Sequence, residues 1–172
     1  RSAAAASRRS ASSVAAAVPL MARLSAAPLT ERRRKVFLID DDPVSLQIHH
    51  RMLDGLYDVL LFETSEDALA AFPAQRPDIM ISDLNMPGMD GIALRRALSA
   101  LDGGNATPFV FLSGQSNSEN NPYISQIGVD DFLCKPVTRD RLTLVVSRLL
   151  RRSRQVRDSI EGKFHHDIMA LL

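Results

Sequence analysis

VFLIDDDP, residues 36–43, sets four apolar residues directly against three carboxylates. An unbroken apolar run suits a strand buried on both faces, where alternation is lost. The acids then lie at its carboxyl end. Adjacent carboxylates repel one another and lose hydration wherever they are covered, so Asp40, Asp41 and Asp42 call for a compensating positive charge. Asp42 before Pro43 reads as a helix N-cap rather than a ligand, and Pro43 suits the first helical turn. VSLQIHHRML (residues 44–53) continues with helical spacing, and Gly55 closes it. His49 and His50 on this helix are expected to be partly exposed, with no metal set around them.

The same alternation repeats downstream. YDVLLF (57–62), DIMIS (78–82), TPFVFLS (107–113) and DDFLC (130–134) read as further strands. SEDALAAF (65–72), with Ser65 as N-cap, and DGIALRRALSAL (90–101), with Asp90 as cap, read as helices. A weak helix is expected from Asn120 to Ile127, and a last one from about Thr138. Strands alternating with helices predict an α/β domain with a doubly wound five-stranded parallel sheet. In such folds ligands bind beyond the carboxyl ends of the strands.

The 172 residues suit one domain with extensions, and 45% apolar content suffices for a core, although Trp is absent. The formal net charge of +1 conceals three zones. Residues 1–35 hold eight Arg or Lys and one acid; residues 36–147 hold seven against sixteen acids; residues 148–172 are basic again. Cys134 is the single cysteine, which excludes an internal disulfide, fits a reducing, cytoplasmic setting, and reads as a small core hydrophobe. No apolar run approaches the ~18 residues of a membrane span. Residues 1–33 are expected to be a disordered basic extension rich in Ala, Ser and Arg. Residues 1–20 contain no acid and resemble an organellar transit peptide; with Met21 following, they also read as upstream read-through or vector-derived sequence.

The polar residues at the strand ends converge on one edge: Asp40, Asp41 and Asp42 after the first strand, Asp83 after the third, Ser113 after the fourth, Lys135 after the fifth. Clustered carboxylates make a hard oxygen site suited to Mg²⁺. Asp83, alone on the central strand and followed by LNMPG (84–88), is the candidate nucleophile of an aspartyl-phosphate chemistry. Lys135 and the metal would neutralise phosphoryl charge, and Ser113 would donate a hydrogen bond.

DDDP, SDLNMPGMDG (82–91), FLSG (111–114) and DFLCKP (131–136) together resemble the receiver domain of two-component response regulators. The intervals agree as well: 42 residues from Asp41 to Asp83, 30 to Ser113, 22 to Lys135. The resemblance covers residues 34–150 and implies a flavodoxin-like (βα)5 receiver fold with an extended C-terminal helix. It implies that a histidine kinase or phosphotransfer protein passes a phosphoryl group to Asp83, with Mg²⁺ held by Asp40, Asp41, Asp83 and the backbone carbonyl of Asn85. It implies that Lys135 pairs with the phosphoryl group, that Ser113 and Phe132 are the switch pair, and that the bond before Pro136 is cis. Phe132 lacks the hydroxyl of the commoner tyrosine, and Gly114 stands where alanine is usual. A protein of this kind assists only its own phosphorylation and dephosphorylation, and is not an enzyme acting on a separate substrate.

DLN (83–85) is also similar to the signature of haloacid-dehalogenase-type phosphohydrolases. That reading is opposed by the acidic cluster preceding the nucleophile and by the lack of a cap domain. A degenerate receiver that binds without phosphorylation is opposed by the intact reactive positions. The face from about Ser116 to Phe132, where partners read the switch in this family, carries the uninformative run QSNSENNP (115–122). Residues 151–172 are expected to be a helical linker or tail. Apolar residues at 142, 146, 149, 156 and 160 lie near a coiled-coil seam, interrupted by Ser153 and ended or kinked at Gly162. A homodimer through the receiver face or this helix is thus a candidate assembly. FHHDIMALL (164–172) faintly resembles the histidine box of sensor kinases and is not expected to act as one. The arginines from 148 to 157 lack a helix-turn-helix pattern, so nucleic acid is not expected as a partner of this chain alone.

Overall fold

The computed structural model describes residues 32–114 and 129–169. The chain runs β1 (Lys35–Ile39), α1 (Pro43–Leu53), β2 (Asp58–Phe62), α2 (Ser65–Gln75), β3 (Ile79–Asp83), α3 (Gly91–Ser99), β4 (Phe109–Ser113), β5 (Asp131–Cys134) and α4 (Arg139–Met169). The expected helix at 120–127 and most of the partner face lie outside the described residues, as does nearly all of the basic extension. Among the described residues no helix is long and apolar enough to cross a membrane.

Successive strand residues point to opposite faces, and in β1 both directions are covered. Val36 and Leu38 join the layer that α1 and α4 supply through Leu46, Leu53, Leu142 and Val146. Phe37 and Ile39 join Phe72, Leu94 and Leu98 from α2 and α3 on the other side. This is why VFLI shows no alternation. All pairings are parallel, in the order β2-β1-β3-β4-β5. The chain leaves β1 for one edge and returns to its other side with β3. The crevice of the doubly wound sheet therefore opens between the carboxyl ends of β1 and β3. Register fixes what meets there: Ile39 lies beside Ser82, Asp83 beside Leu112, and Ser113 beside Cys134.

Several local expectations change. Thr64, not Ser65, caps α2: its Oγ1 accepts from Asp67 N at 3.1 Å and donates to the Asp67 carboxylate at 2.7 Å. Ser65 is instead the first helical residue and is buried, its Oγ without a hydrogen-bond partner. Helix α2 runs past Pro73 to Gln75 because a proline in the last turn disturbs few backbone bonds. Helix α4 continues unbroken through Ser153 and Gly162 to Met169. The apolar residues 142, 146 and 149 of the supposed seam are spent in the core; Leu144 and Val156 are exposed.

Gly91 carries a packing constraint beneath the site. A Cβ there would lie 2.5 Å from the Asp83 carbonyl oxygen and 2.8 Å from Phe111 Cε1. Backbone at that distance cannot yield cheaply. Gly91→Ala should lower stability by about 2 kcal/mol, measured as a shift in the urea midpoint at unchanged slope. An unshifted midpoint would show that the 84–90 loop relaxes freely.

Candidate functional site

The acids sit where β1 and β3 end. Asp40 follows β1 immediately and is 1% exposed; Asp83, the last residue of β3, is 7% exposed. Burial of that degree is costly for carboxylates unless they are paired and hydrogen-bonded, and both are. The Lys135 ammonium lies 2.7 Å from Asp40 Oδ2 and 2.5 Å from Asp83 Oδ1, bridging them. The remaining oxygens are held by backbone: Asp42 N donates to Asp40 Oδ1 at 3.1 Å, and Asn85 N donates to Asp83 Oδ2 at 2.8 Å. The question raised by three adjacent acids is thus answered in part by a lysine 95 residues away.

Lys135 is brought there by β5. Its backbone N–H donates to Ser113 O at 2.7 Å, continuing the ladder past the strand ends, and the following Lys135–Pro136 peptide is cis. Burial works against the ammonium, but hydrogen bonds from Lys135 to Asp40 and Asp83, and their charges, outweigh it, so its pKa is raised. Ser113, at the end of β4, is fully buried. Phe132 in β5 is half-buried and packs against the α2–α3 layer.

The acidic triplet divides its duties. Asp40 faces inward. Asp42 caps α1, accepting from Val44 N at 3.1 Å and Ser45 N at 3.0 Å. Asp41 is exposed to solvent at the mouth. Asn85 is exposed. Among the described residues no three His, Cys, Asp or Glu side chains are already gathered as a metal cage. The donor chemistry nevertheless fits a hard cation: two inward carboxylates, a third at the rim, and an ammonium between the first two.

Two residues of this neighbourhood escaped the sequence reading. Ser45 Oγ donates to Asp40 Oδ2 at 2.6 Å. His49 is 5% exposed rather than partly open, with Nδ1 3.4 Å from Ser45 Oγ. Its position three residues after Leu46 and four before Leu53, both buried, is the periodic signal that places it inward. Burial, then the Lys135 charge, lower its pKa against the pull of Asp40 and Asp83. The sign follows: below the ordinary value of 6.5 the unfolded chain takes up a proton that the folded chain resists. Stability should therefore fall as pH drops below that value, and His49→Gln should show a shallower fall down to about pH 5, read from denaturant midpoints. Equal slopes would mean that His49 does not carry the effect.

The fold and the site define a small α/β domain with an acid–lysine centre at the switch point of its sheet. The chain belongs to the response regulator receiver domain family, which it matches over residues 36–147. It is 35% identical over 137 residues to the C4-dicarboxylate transport transcriptional regulatory protein DctD of Rhizobium meliloti, covering 79% of this chain and 28% of that protein. It is 34% identical over 120 residues to the transcriptional regulatory protein PrrA of Mycobacterium tuberculosis, covering 69% of this chain and 50% of that one. The chain thus spans half or less of these relatives. Among solved structures, the Vibrio cholerae chemotaxis protein CheY4 superposes with a TM-score of 0.64 at 28% identity, over 68% of this chain and 98% of that one. The receiver domain of a sensor histidine kinase from Pseudomonas aeruginosa PAO1, described with a magnesium ion coordinated in its active site cleft, gives 0.64 at 27%, over 69% and 98%.

Proposed function

We propose that this receiver domain accepts a phosphoryl group on Asp83 from a phosphohistidine of a histidine kinase or phosphotransfer protein, with Mg²⁺ held by Asp40, Asp41, Asp83 and the Asn85 carbonyl. The observation that carries this reading is the bridge of Lys135 between the buried carboxylates of Asp40 and Asp83. Such a centre is poised for exchange of cations. The backbone N–H of Asn85 fixes Asp83 Oδ2, which leaves Oδ1, beside the ammonium, to attack phosphorus. The phosphorus–nitrogen bond of the donor breaks, its electron pair stays with the imidazole, and an acyl phosphate forms on Asp83. Mg²⁺, when bound, neutralises charge on the phosphoryl oxygens. Lys135 turns from Asp83 towards a phosphoryl oxygen and keeps the charge balanced. Ser113, at the neighbouring strand end, donates its hydroxyl proton to another, and Phe132 follows into the space this opens. The result is a shift between two states of the partner-reading surface.

In this reading residues 34–150 form the receiver, residues 1–33 a basic extension and residues 151–172 a helical tail, and the protein works in the cytoplasm, to which a chain with one cysteine is suited. The domain assists its own phosphorylation and dephosphorylation and turns over no separate substrate. The test is the mass of the intact protein after incubation with a small phosphodonor. One added phosphoryl group in the presence of Mg²⁺, and none with a chelator, is the expected result. A wild-type chain that binds Mg²⁺ and remains unmodified would point instead to a binding module that works without phosphorylation.

A further inference from the structure

Asp40 is gripped from two sides by the N-cap and first turn of α1. The Asp42 N–H holds Oδ1 at 3.1 Å and the Ser45 hydroxyl holds Oδ2 at 2.6 Å. Lys135 shares Oδ2 with Ser45, at 2.7 Å. The ammonium is long-stemmed and part-exposed, whereas Ser45 is fixed on a helix whose cap, Asp42, also binds the Ser45 N–H. Of the two donors on Oδ2, Ser45 is the one that stays in place when Lys135 moves.

A hydroxyl has one proton, and an ionised carboxylate only accepts. The Ser45 proton is therefore committed to Asp40, and the His49 ring, with Nδ1 at 3.4 Å from Ser45 Oγ, completes a hydrogen bond there in one arrangement, with the ring nitrogen as donor. One tautomer does so in the neutral ring: the one protonated at Nδ1. The ring is buried one turn behind Ser45, so its placement orients the hydroxyl towards the acid. In that tautomer the order is His49 to Ser45 to Asp40, each donating to the next.

We infer that Ser45, oriented by His49, is a positioning residue that locks the plane of the Asp40 carboxylate, so that Lys135 and a divalent cation exchange against a ligand that does not turn with either. This rests on the divalent-cation reading above. Nothing in the acid-and-lysine chemistry itself requires a hydroxyl at this position; the requirement comes from Asp40 having to hold its orientation while one of its charged partners leaves. Without Ser45 the carboxylate follows the ammonium, and the cation must first break that closer pair.

The test is Mg²⁺ binding to the full chain by calorimetry, without any phosphodonor, for wild type, Ser45→Ala and Ser45→Thr, with melting curves on the same samples. Ser45→Ala should weaken Mg²⁺ about ten-fold, the order expected for a lost hydrogen bond to a charged group, and should still melt cooperatively, about 5–10 °C below wild type for the same lost bond in the metal-free fold, since alanine keeps the backbone N–H that Asp42 caps. Ser45→Thr restores the hydroxyl and should return affinity to within about two-fold of wild type. Unchanged or tighter binding by Ser45→Ala, or equal weakening by both variants, would overturn the inference while leaving the phosphoacceptor reading intact. Absence of Mg²⁺ binding by wild type would overturn both. A measurement that needs no variant completes it: the nitrogen-15 shifts of His49 should report the neutral Nδ1–H tautomer, and the Nε2–H tautomer would break the chain at its first link.

Discussion

Asp83→Asn should take up no phosphoryl group under conditions in which the wild-type chain gains one. The amide keeps the size and planarity of the carboxylate and can still accept from the Asn85 N–H, which lies 2.8 Å from Asp83 Oδ2. It removes the nucleophilic charge. Lys135 retains Asp40 at 2.7 Å, so the buried centre becomes one cation against one anion in place of one against two. The fold should consequently persist, with a melting temperature within about 5 °C of wild type. The substitution therefore separates chemistry from structure, and intact mass together with circular dichroism reads the two. An adduct on the variant of the same stoichiometry would move the phosphoacceptor to another residue and discard the assignment of Asp83.

Lys135→Met should be the most destabilising change at the site, by about 3 kcal/mol near neutral pH without divalent cations. Methionine preserves the stem, which packs, and deletes the charge. Two nearly buried carboxylates are then left facing each other with no cation between them. Leaving buried charge unpaired costs more than the pair itself was worth. Because the folded-state pKa of Lys135 is raised, its contribution is fully present below the ordinary lysine value of 10.5 and is lost only as pH rises through the higher folded value. The gap between wild type and variant should thus hold across neutral pH and close in strong alkali. Mg²⁺ should stabilise the variant more than it stabilises wild type, because the ion no longer competes with an ammonium for the same oxygens. Denaturant titrations with and without Mg²⁺ measure both effects. A variant as stable as wild type, and equally insensitive to Mg²⁺, would show that Lys135 is a bystander.

The strand ends were legible because each is a sharp change in chemistry, from an apolar run to a charge or hydroxyl, and because parallel strands all deliver their carboxyl ends to one edge. Asp40, Asp83, Ser113 and Lys135 follow from that rule together with their spacing. Ser45 and His49 did not, since a serine in a helix has no mark of its own and adjacent histidines leave open which one faces inward. The period set by Leu46 and Leu53 decides it for His49, and only the three-dimensional reach of Oγ decides it for Ser45. Thr64 and Ser65 posed a similar choice between neighbouring hydroxyls. The acid three residues on, Asp67, belongs to the capping pattern of Thr64 and not to that of Ser65. In α4 the positions 142, 146 and 149 satisfy a coiled-coil repeat and a core-facing helix equally well, and the sheet claims them.

That same helix has a mechanical side. Its first turns are part of the core, through Leu149 and the half-buried Leu150, with Arg148 paired with Asp131 of β5. The remaining nineteen residues, 151–169, continue as one rod, about 28 Å long at the usual rise. A rod anchored at one end multiplies displacement. A tilt of about 5° in the anchored turns carries the far end through about 2–3 Å over that length. The strand that leads into Lys135 begins with the aspartate to which the anchor is tied, so the distance from chemistry to pivot is short and the distance from pivot to tip is long.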